Sequence, residues 1–422
     1  MTVTIVMGAQ WGDEGKGKAI DYLARDADFV ARFNGGNNAG HTVINPLGEF
    51  KIHLVPSGIF YPRARCLIGG GVVIDPRVLI EEIEILRAAK IRVAKRLFVS
   101  PRAHLILPYH KILDGLYEQA KGAGATGTTR RGIGPAFADK ASYNGIRWHD
   151  VADEKIFAEK LGVQVALKNK IITALGGAPV SGDEIFADYR KYYATLKPFI
   201  VEVYPFIAKG LRAKKNFLLE QAQGALLDPD WGTYPFVTGA TTLTSAATAG
   251  LGIPPRAVNR VVAVAKAYTT RVGGGPLPTE ILDASDPAQH ALQEVAVTTG
   301  RIRRGGWFDA EIVRFSTQVN GATEIFLTKL DILSQFDEIK IATGYRWNGK
   351  RVGYADLSAE QLAHAEPVYR AVRGWRADIT GARQFADLPA RAQQYVETIE
   401  KLVGVPVKWV SVGPEREATI KR

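Results

Sequence analysis

Residues 8–18 are Gly8-Ala9-Gln10-Trp11-Gly12-Asp13-Glu14-Gly15-Lys16-Gly17-Lys18, and this stretch decides the fold. It follows the apolar run 3–7, which predicts a buried strand, and it precedes residues 19–23, which predict a helix. Glycines let backbone amides turn toward a phosphate, and the N-terminus of the next helix adds positive potential. This order of strand, loop and helix predicts a nucleotide-phosphate site.

The loop differs from the ordinary phosphate loop at one position. Residues 12–18 match the pattern G-x-x-x-x-G-K, but Ala19 stands where Ser or Thr normally contacts magnesium. Asp13, inside the loop, offers an alternative ligand. The spacing alone is also compatible with a plain strand–helix connector, in which Asp13 and Glu14 begin the helix and the lysines face solvent.

Composition indicates an ordinary globular protein that favours anionic partners. The 422 residues are 46% hydrophobic and 23% charged, with a formal net charge of +11. The charge is compatible with nucleotides, acidic metabolites or nucleic acid, and does not choose among them. Cys66 is the only cysteine, so no intrachain disulfide forms and no Cys/His zinc spacing exists. We find no signal peptide and no membrane span, and expect a cytoplasmic protein.

Strands alternate with helices along the chain, which predicts an α/β fold with a mainly parallel central sheet flanked by helices. Asp75 and Pro76 predict the start of a helix over 78–90, and a last helix is expected over 388–403. No linker divides the chain, so we expect a single domain over 1–422 with a helical insertion at about 145–215. Further strands are expected at 28–33, 50–55, 66–74 with a glycine break at 69–71, 96–100, 216–219, 261–272, 325–327 and 407–412.

Within the expected insertion, apolar residues at helical spacing predict faces packed in a core rather than a cofactor site. These residues are Ile156, Leu161, Val165, Tyr189, Tyr192, Tyr193 and Leu196.

Four further segments carry polar groups suited to a shared site. Residues 34–42 form a second glycine-rich loop ending near His41, whose imidazole titrates near neutral pH. Residues 127–135 combine hydroxyls, arginines and glycines, which suit a phosphate, although a basic surface loop is the simpler interpretation. Residues 297–306 hold three arginines that suit a carboxylate or phosphate, or else form a solvated charge run. Residues 220–224 are expected at the carboxyl end of a strand, where open α/β sheets bind ligands.

Thr328-Lys329-Leu330-Asp331 follows a predicted strand and resembles the N-K-x-D guanine-recognition motif of GTP-binding proteins. An aspartate at this place accepts from N1–H and the 2-amino group of guanine together, a pair that adenine lacks. Alone the four residues are weak evidence, but they gain weight after a phosphate loop.

The chain resembles the adenylosuccinate synthetase family over essentially its whole length. The matching blocks run from residue 4 to residue 416, in the family's order and at its spacing. The matching blocks are Gln10 to Lys18, Asn38 to Thr42, Gly132 to Pro135, Lys266 to Gly273, Thr298 to Arg301, Thr328 to Asp331 and Ser411 to Pro414. The resemblance implies a P-loop-NTPase-like α/β fold.

The resemblance also implies a ligase that joins IMP and L-aspartate with GTP to give adenylosuccinate, GDP and phosphate through 6-phosphoryl-IMP, the first committed step from IMP to AMP. It implies Mg2+, and a homodimer whose active site lies near the subunit interface, with no nucleic-acid or membrane partner. Asp13 would take the proton from N1 of IMP, His41 would protonate the phosphoryl side, and Gln223 would steady the purine oxyanion.

The remaining site residues are implied in the same way. Catalysis involves Asp13, Lys16, His41 and Gln223, and the metal contacts Asp13 and Gly40. GTP binding involves Gly12, Asp13, Glu14, Gly15, Lys16, Gly17, Lys18, Gly40, His41, Thr42, Arg303, Lys329, Leu330, Asp331, Ser411, Val412 and Gly413. IMP binding involves Asp13, Glu14, Gly15, Lys16, Asn38, Ala39, Gly40, His41, Thr129, Gln223, Thr238 and Arg301. Aspartate binding involves Val297, Thr298, Thr299, Gly300, Arg301, Ile302 and Arg303.

Three departures from the family pattern bear on IMP. Tyr143 stands where an arginine usually reaches IMP across the dimer, and Arg130, Arg131 or Arg147 are candidates to compensate. Gln221 replaces a common glycine, and 239–242 replace a serine-rich run.

Three alternative functions remain open at this point. They are a related synthetase for another purine monophosphate such as GMP or dGMP, a non-catalytic GTP-binding regulator, and a basic nucleic-acid-binding protein. Asp13 and His41 together count against a regulator, which needs no base–acid pair. The arginines cluster in glycine loops rather than along a basic stripe with interleaved aromatics, which counts against nucleic acid.

Overall fold

The computed structural model describes residues 1–295 and 302–422. Within them the strands are β1 Val3–Gly8, β2 Phe29–Arg32, β3 His41–Asn45, β4 Gly48–Ile52, β5 Arg65–Ile68, β6 Val73–Ile74, β7 Leu97–Val99, β8 His104–Leu105, β9 Phe217–Gly224, β10 Arg260–Lys266, β11 Thr269–Arg271, β12 Glu294–Val295, β13 Ile302–Gly306, β14 Phe308–Asp309, β15 Glu324–Thr328, β16 Glu338–Trp347, β17 Lys350–Val352, β18 Glu366–Arg373, β19 Val407–Ser411 and β20 Thr419–Lys421. The helices of the same residues are α1 Lys16–Leu23, α2 Pro76–Ala88, α3 Pro108–Ala120, α4 Ile133–Ala141, α5 Trp148–Ala152, α6 Glu154–Ala174, α7 Gly182–Leu196, α8 Tyr204–Arg212, α9 Ala246–Leu251, α10 Pro287–Leu292, α11 Ala310–Asn320, α12 Ala359–His364 and α13 Ala390–Val403.

A mainly parallel sheet lies at the centre of the molecule. Among the described residues it has nine strands in the order β20-β19-β15-β10-β1-β9-β2-β5-β7. Its neighbouring strands are parallel, apart from the antiparallel pair of β19 and β20 at one edge. The predicted architecture is confirmed. Parallel strands end on the same edge, so the loops after β1, β9, β15 and β19 meet there.

Residues of β1 alternate between two hydrophobic cores, one on each face of the sheet. Ile5 and Met7 belong to one core and Val6 to the other, and all three are at most 1% exposed. A central parallel strand covered on both faces is apolar throughout, which explains the continuous run at 3–7.

The helices α5 to α8 lie between β8 and β9, so the helical content predicted for 145–215 is confirmed. The division of the chain into one domain with an insertion stays a prediction. The prediction that Ile156 packs in a core was wrong, because its side chain is 43% exposed. The buried face of α6 begins instead at Phe157 and continues through Leu161 to Ile172, which places Ile156 to one side of it.

Several strand predictions were wrong in their extent. Residues 261–272, expected to form one strand, contribute to two. β10 ends at Lys266, and β11 pairs with β13 in another sheet. The chain leaves the central sheet at Ala267, whose amide donates to the carbonyl of Thr328, and at Tyr268, whose carbonyl accepts from Gln10. The strand expected at 216–219 continues to Gly224, so the polar group 220–224 lies within β9.

Parts of two other expected strands belong to smaller sheets. Residues 72–74 contribute to β6, which pairs with β8 rather than continuing β5. Residues 50–55 contribute only their first part, as β4 in a hairpin with β3. The long antiparallel pair β16 and β18, over 338–373, was not predicted.

None of the helices in residues 1–295 and 302–422 combines the length and apolarity needed to cross a membrane.

Candidate active site

Glu14 holds the loop between β1 and α1 in shape. Its carboxylate is fully buried and accepts from the backbone amides of Gln10 at 3.1 Å and Gly12 at 2.8 Å. Its second oxygen accepts from Lys16 Nζ at 2.6 Å. Gly15 precedes α1 with φ of +86°, a left-handed conformation that favours glycine. The loop backbone is therefore fixed before any ligand binds.

A cavity of about 1540 Å3 lies at the carboxyl edge of the sheet beside this loop. It exceeds the roughly 300–1000 Å3 usual for one small ligand, so there is room for several. The predicted site residues that line it are Gly12, Asp13, Gly15, Lys16, Gly17, Lys18, Asn38, Ala39, Gly40, His41, Thr42, Thr129, Gln223, Thr238, Arg303, Lys329, Ser411 and Gly413.

Of the predicted site residues whose side chains the structure describes, four do not contribute to that wall. They are Glu14, Leu330, Asp331 and Val412. Glu14 faces the loop amides, whereas Leu330 and Val412 are fully buried. The predicted aspartate loop lies largely outside the described residues, which exclude Val297, Thr298, Thr299, Gly300 and Arg301. Ile302, also predicted to bind aspartate, is the first residue of β13.

Asp13 and Arg303 form an ion pair across the cavity, between the phosphate loop and β13. Burial acts to raise the pKa of Asp13, but the hydrogen bond and charge of Arg303, with the charge of Lys266, hold it below its usual range. Asp13 also has a left-handed backbone, with φ of +59°. Arg303 thus holds the Asp13 carboxylate in its ionised form.

His41 is oriented by a buried carboxylate. Its Nδ1 lies 2.7 Å from Oε1 of Glu220, and its Nε2 is buried without a hydrogen-bond partner among the described residues. Burial lowers the pKa of His41, opposed by the charge of Glu220. Burial acts to raise the pKa of Glu220, but His41 and Arg32 lower it. A Cβ at Gly17 would lie 2.9 Å from that of His41, so glycine permits the close approach of the two loops.

Gln223 and Asn38 meet on the β9 and β2 side of the cavity. Gln223 Nε2 donates to Asn38 Oδ1 at 2.7 Å, and Gln223 Oε1 is buried without a partner among the described residues. Both side chains line the cavity, so a ligand able to replace their mutual bond can use an amide from each.

Glu118 anchors the loop over 126–131. Its carboxylate accepts from the hydroxyl of Thr126 at 2.6 Å and from the amides of Gly127 at 2.6 Å and Thr128 at 3.1 Å. Burial acts to raise the pKa of Glu118, but these hydrogen bonds and that of Lys121 lower it to about 2. The loop that carries Thr129 is therefore tied to α3.

Lys18 joins the phosphate loop to the last strands. Its ammonium donates to Ser411 Oγ and the carbonyl of Gly413, both at 2.6 Å, and to the carbonyl of Ala418 at 2.9 Å. Burial lowers the pKa of Lys18 to about 8. Asp331 is close enough to oppose that shift, and its Oδ1 is buried without a partner among the described residues.

Glu294 forms ion pairs with two lysines at the cavity wall. It pairs with Lys266 at 3.0 Å and with Lys329 at 2.8 Å, and it accepts from the hydroxyl of Tyr268. Burial acts to raise the pKa of Glu294, but the two lysines lower it to about 2.

Glu118 and Glu294 were given no role from the sequence, and Glu220 was included only within the polar group 220–224 expected near a ligand. For Glu220 a signal existed, because a carboxylate that directly follows the apolar residues 217–219 needs a buried partner. Glu118 and Glu294 carried no such signal, since their partners come from separate segments.

Oxygen atoms at the cavity wall suit magnesium. No cluster of three or more His, Cys, Asp or Glu side chains exists within residues 1–295 and 302–422. The carboxylate of Asp13 and the backbone of Gly40 nevertheless line one cavity. Mg2+ often takes only one or two protein oxygens and completes its shell with phosphates and water, so this donor set fits it.

Comparison with known proteins gives a consistent result. The family model described as adenylosuccinate synthetase matches residues 5–420. The adenylosuccinate synthetase of Carboxydothermus hydrogenoformans is 48% identical, covering 100% of this chain and 99% of the relative. The fully ligated adenylosuccinate synthetase structure from Plasmodium falciparum is 35% identical, with a TM-score of 0.93 and full coverage of both chains. The cyanophage S-2L succinoaminodeoxyadenylate synthetase, bound to dGMP and dATP, is 21% identical with a TM-score of 0.62 and coverage of 100% and 95%, which shows a shared fold alone.

Proposed function

The chain belongs to the adenylosuccinate synthetase family, and from this we propose how its cavity carries out the family's reaction. The enzyme joins IMP and L-aspartate with GTP and releases adenylosuccinate, GDP and phosphate. The residue roles below are our proposal. One observation supports it most directly. Asp13, in the phosphate loop, and His41, at the start of β3, line the same cavity.

In the first step, O6 of IMP attacks the γ-phosphorus of GTP while Asp13 takes the proton from N1. The bond from the γ-phosphorus to the β–γ bridging oxygen breaks, and GDP leaves with that electron pair. Lys16 and the amides at the start of α1 face the transferring group, where fixed donors stabilise developing charge. This step converts a poor leaving group at C6 into a phosphate ester.

His41 and Gln223 assist from the other side. Glu220 accepts a hydrogen bond from Nδ1 of His41 and its charge favours the protonated ring, in which Nε2 also carries a proton and donates to the phosphoryl oxygens. Gln223 releases Asn38 and donates its amide to the purine oxygen as negative charge develops there.

In the second step, the amine of aspartate attacks C6 and phosphate leaves with the C6–O6 bond electrons. The amine gives up a proton as the C–N bond forms. We place the aspartate carboxylates on the loop 297–303, with Arg301 and Arg303 as their cations. Because Arg303 pairs with Asp13, an arriving carboxylate competes with Asp13 for it.

Magnesium use is a family property, and we propose that Asp13 and the carbonyl of Gly40 hold the ion here. When bound, the ion neutralises charge on the GTP phosphates. Asp13, Gly40 and Lys16 line the same cavity, so the metal and the lysine would act on the same phosphates.

Guanine recognition is proposed at the β15 and β19 end of the cavity. The unpaired oxygen of Asp331 suits the N1–H and 2-amino donors of guanine. Lys329, Ser411 and Gly413 line the cavity nearby. A homodimer with its site near the subunit interface and a cytoplasmic location also stay predictions.

The test is a spectrophotometric assay of the 6-substituted purine with purified protein, magnesium, GTP, aspartate and IMP. We expect product only when all are present. Replacing IMP by dGMP tests the alternative substrate. Product from dGMP but not from IMP would contradict the function.

The roles of Asp13 and His41 are tested by Asp13→Ala and His41→Ala. We expect each to reduce turnover by about 100-fold or more, because general acid–base groups contribute roughly 10²–10⁴-fold. Circular dichroism and thermal unfolding check that each variant stays folded. Turnover near that of the unchanged enzyme in either variant would contradict this mechanism.

A further inference from the structure

One cation of the cavity wall differs from the others in its lack of a partner. The lysines and arginines of the wall that pair with a carboxylate are Lys16, Lys111, Arg303 and Lys329. Lys18 is bonded to two carbonyls and a hydroxyl. Arg130 lines the same cavity and is exposed, and within the described residues it forms neither an ion pair nor a hydrogen bond. Its charge is therefore available to a ligand.

Arg130 lies away from the guanine end of the cavity. In the central sheet, β15 and β19 lie on one side of β1, whereas β9 and β2 lie on the other. The loop of Arg130 contacts the second side, because Arg131 donates to the carbonyl of Asn37, which follows β2. Arg130 also borders a smaller cavity that Asn37 lines. An anion held by Arg130 thus belongs to the nucleotide that Gln223 faces rather than to GTP.

The backbone at Arg130 gives a second indication. Its φ is +54°, in the left-handed region where glycine is the residue without strain. Within the described residues no ion pair or hydrogen bond of the Arg130 side chain offsets this backbone strain. The residue therefore suits a binding role better than a role in stability.

Neighbouring side chains do not supply this charge. Arg131 borders the smaller cavity but not the main one, and the Nε of Arg147 donates to Nε2 of His104 at 3.3 Å. Tyr143 is 97% exposed and carries a phenol in place of a guanidinium.

We propose that Arg130 binds the 5′-phosphate of IMP within its own chain. This rests on the proposed function, since it takes IMP as the acceptor nucleotide. A phosphate monoester is a near-dianion whose oxygens match the planar donors of a guanidinium. Arg130 is therefore a binding residue that selects a nucleotide over a nucleoside.

The first experiment compares Arg130→Gly with Lys95→Gly by steady-state kinetics. Lys95 is the matched control, because it is an exposed cation with φ of +63° that does not line the cavity. Glycine suits both backbones, so both variants should fold. We expect Arg130→Gly to raise the KM for IMP about tenfold or more, as loss of a charge-assisted hydrogen bond predicts, with kcat and the KM values for GTP and aspartate little changed. Arg130→Lys should recover part of the loss.

Inosine, which lacks the phosphate, separates binding from a structural effect. In Arg130→Gly the preference for IMP over inosine should fall by the factor by which the KM for IMP rises. An equal loss for both compounds, an unchanged KM for IMP, or a rise confined to GTP or aspartate would overturn the proposal.

Calorimetric binding of IMP distinguishes this proposal from the proposed function. If the unchanged protein binds IMP but makes no product, the function fails. In that case tenfold weaker IMP binding by Arg130→Gly would still support the phosphate contact, and equal binding would overturn it.

Discussion

Two cations of the cavity that are expected to bind anionic substrates are already paired with carboxylates of the protein. Arg303 holds Asp13, and Lys329 holds Glu294. Each pair keeps two charges neutralised in a partly buried place, which avoids the cost of an unpaired buried charge. Under the proposed mechanism, substrate binding would exchange one anion for another and would release Asp13 for proton transfer.

We attribute the expected preference for guanine mainly to one side chain, that of Asp331. The variant Asp331→Asn tests this. An asparagine oxygen still accepts from N1–H, but its NH2 group opposes the 2-amino group of guanine. We expect GTP to bind about 10–100-fold more weakly, as loss of a charged hydrogen bond predicts. Xanthosine triphosphate, whose C2 carbonyl can accept from that NH2 group, should become the better substrate.

Initial rates with GTP, inosine triphosphate and xanthosine triphosphate measure this change. Unaltered preference among the three would show that Asp331 does not contact the base.

The conformation of the loop over 126–131 depends on its hydrogen bonds to Glu118. The variant Glu118→Gln tests this. The amide keeps one acceptor and loses the charge that holds two backbone amides. We expect faster trypsin cleavage after Arg130 and Arg131 and a severalfold higher KM for IMP. Glu159→Gln, at an exposed position on α6, is the matched control. Equal cleavage rates in both variants would contradict the anchoring role.

Helix α11 begins at a buried acid with a perturbed pKa. Asp309 accepts from two backbone amides and from the hydroxyl of Tyr345 at 2.7 Å. Burial raises the pKa of Asp309 to about 7. The folded state therefore holds a proton that the unfolded chain releases above about pH 4, so this residue makes the protein less stable as pH rises from about 4 to 7.

Asp309→Asn removes this pH dependence while it keeps an acceptor for the cap. Relative to the unchanged protein, the variant should gain stability with rising pH, by at most about 1.4 kcal/mol per pH unit between about pH 4 and 7. Urea unfolding at several pH values measures the difference. Parallel curves would show that Asp309 titrates normally.

At the scale of the whole molecule, the sequence predicted the parallel sheet, the phosphate loop and part of the cavity wall, but not the part that α3 contributes. Each depends on local patterns or on blocks matched to a family, such as residues 10–18. The partners of Glu118, Glu220 and Glu294 were not predictable, because each pairing joins segments far apart in the chain. The break between β10 and β11 was missed for a similar reason, since hydrogen bonds from Gln10 and to Thr328 decide it.

Arg416→Met tests how firmly the last residues support the first helix. Arg416 donates to both oxygens of Asp21 in α1, at 2.6 and 2.8 Å, and Asp21 is 1% exposed. Loss of the guanidinium leaves a buried carboxylate, so we expect a loss of about 1.5–3 kcal/mol in the free energy of unfolding. Arg376→Met, which breaks an exposed pair with Asp337, should have little effect. Equal effects in urea unfolding would contradict this.

The bonds of Lys18 to Ser411 and Ala418 also set an order of events during synthesis. Lys18 and Ser411 are 393 residues apart, so the phosphate loop leaves the ribosome long before its partners are translated. A nascent chain that lacks these residues presents the glycine loop without the wall where guanine is expected. Guanine recognition by this wall therefore requires that the phosphate loop and residues 411–418 have both been made and brought together.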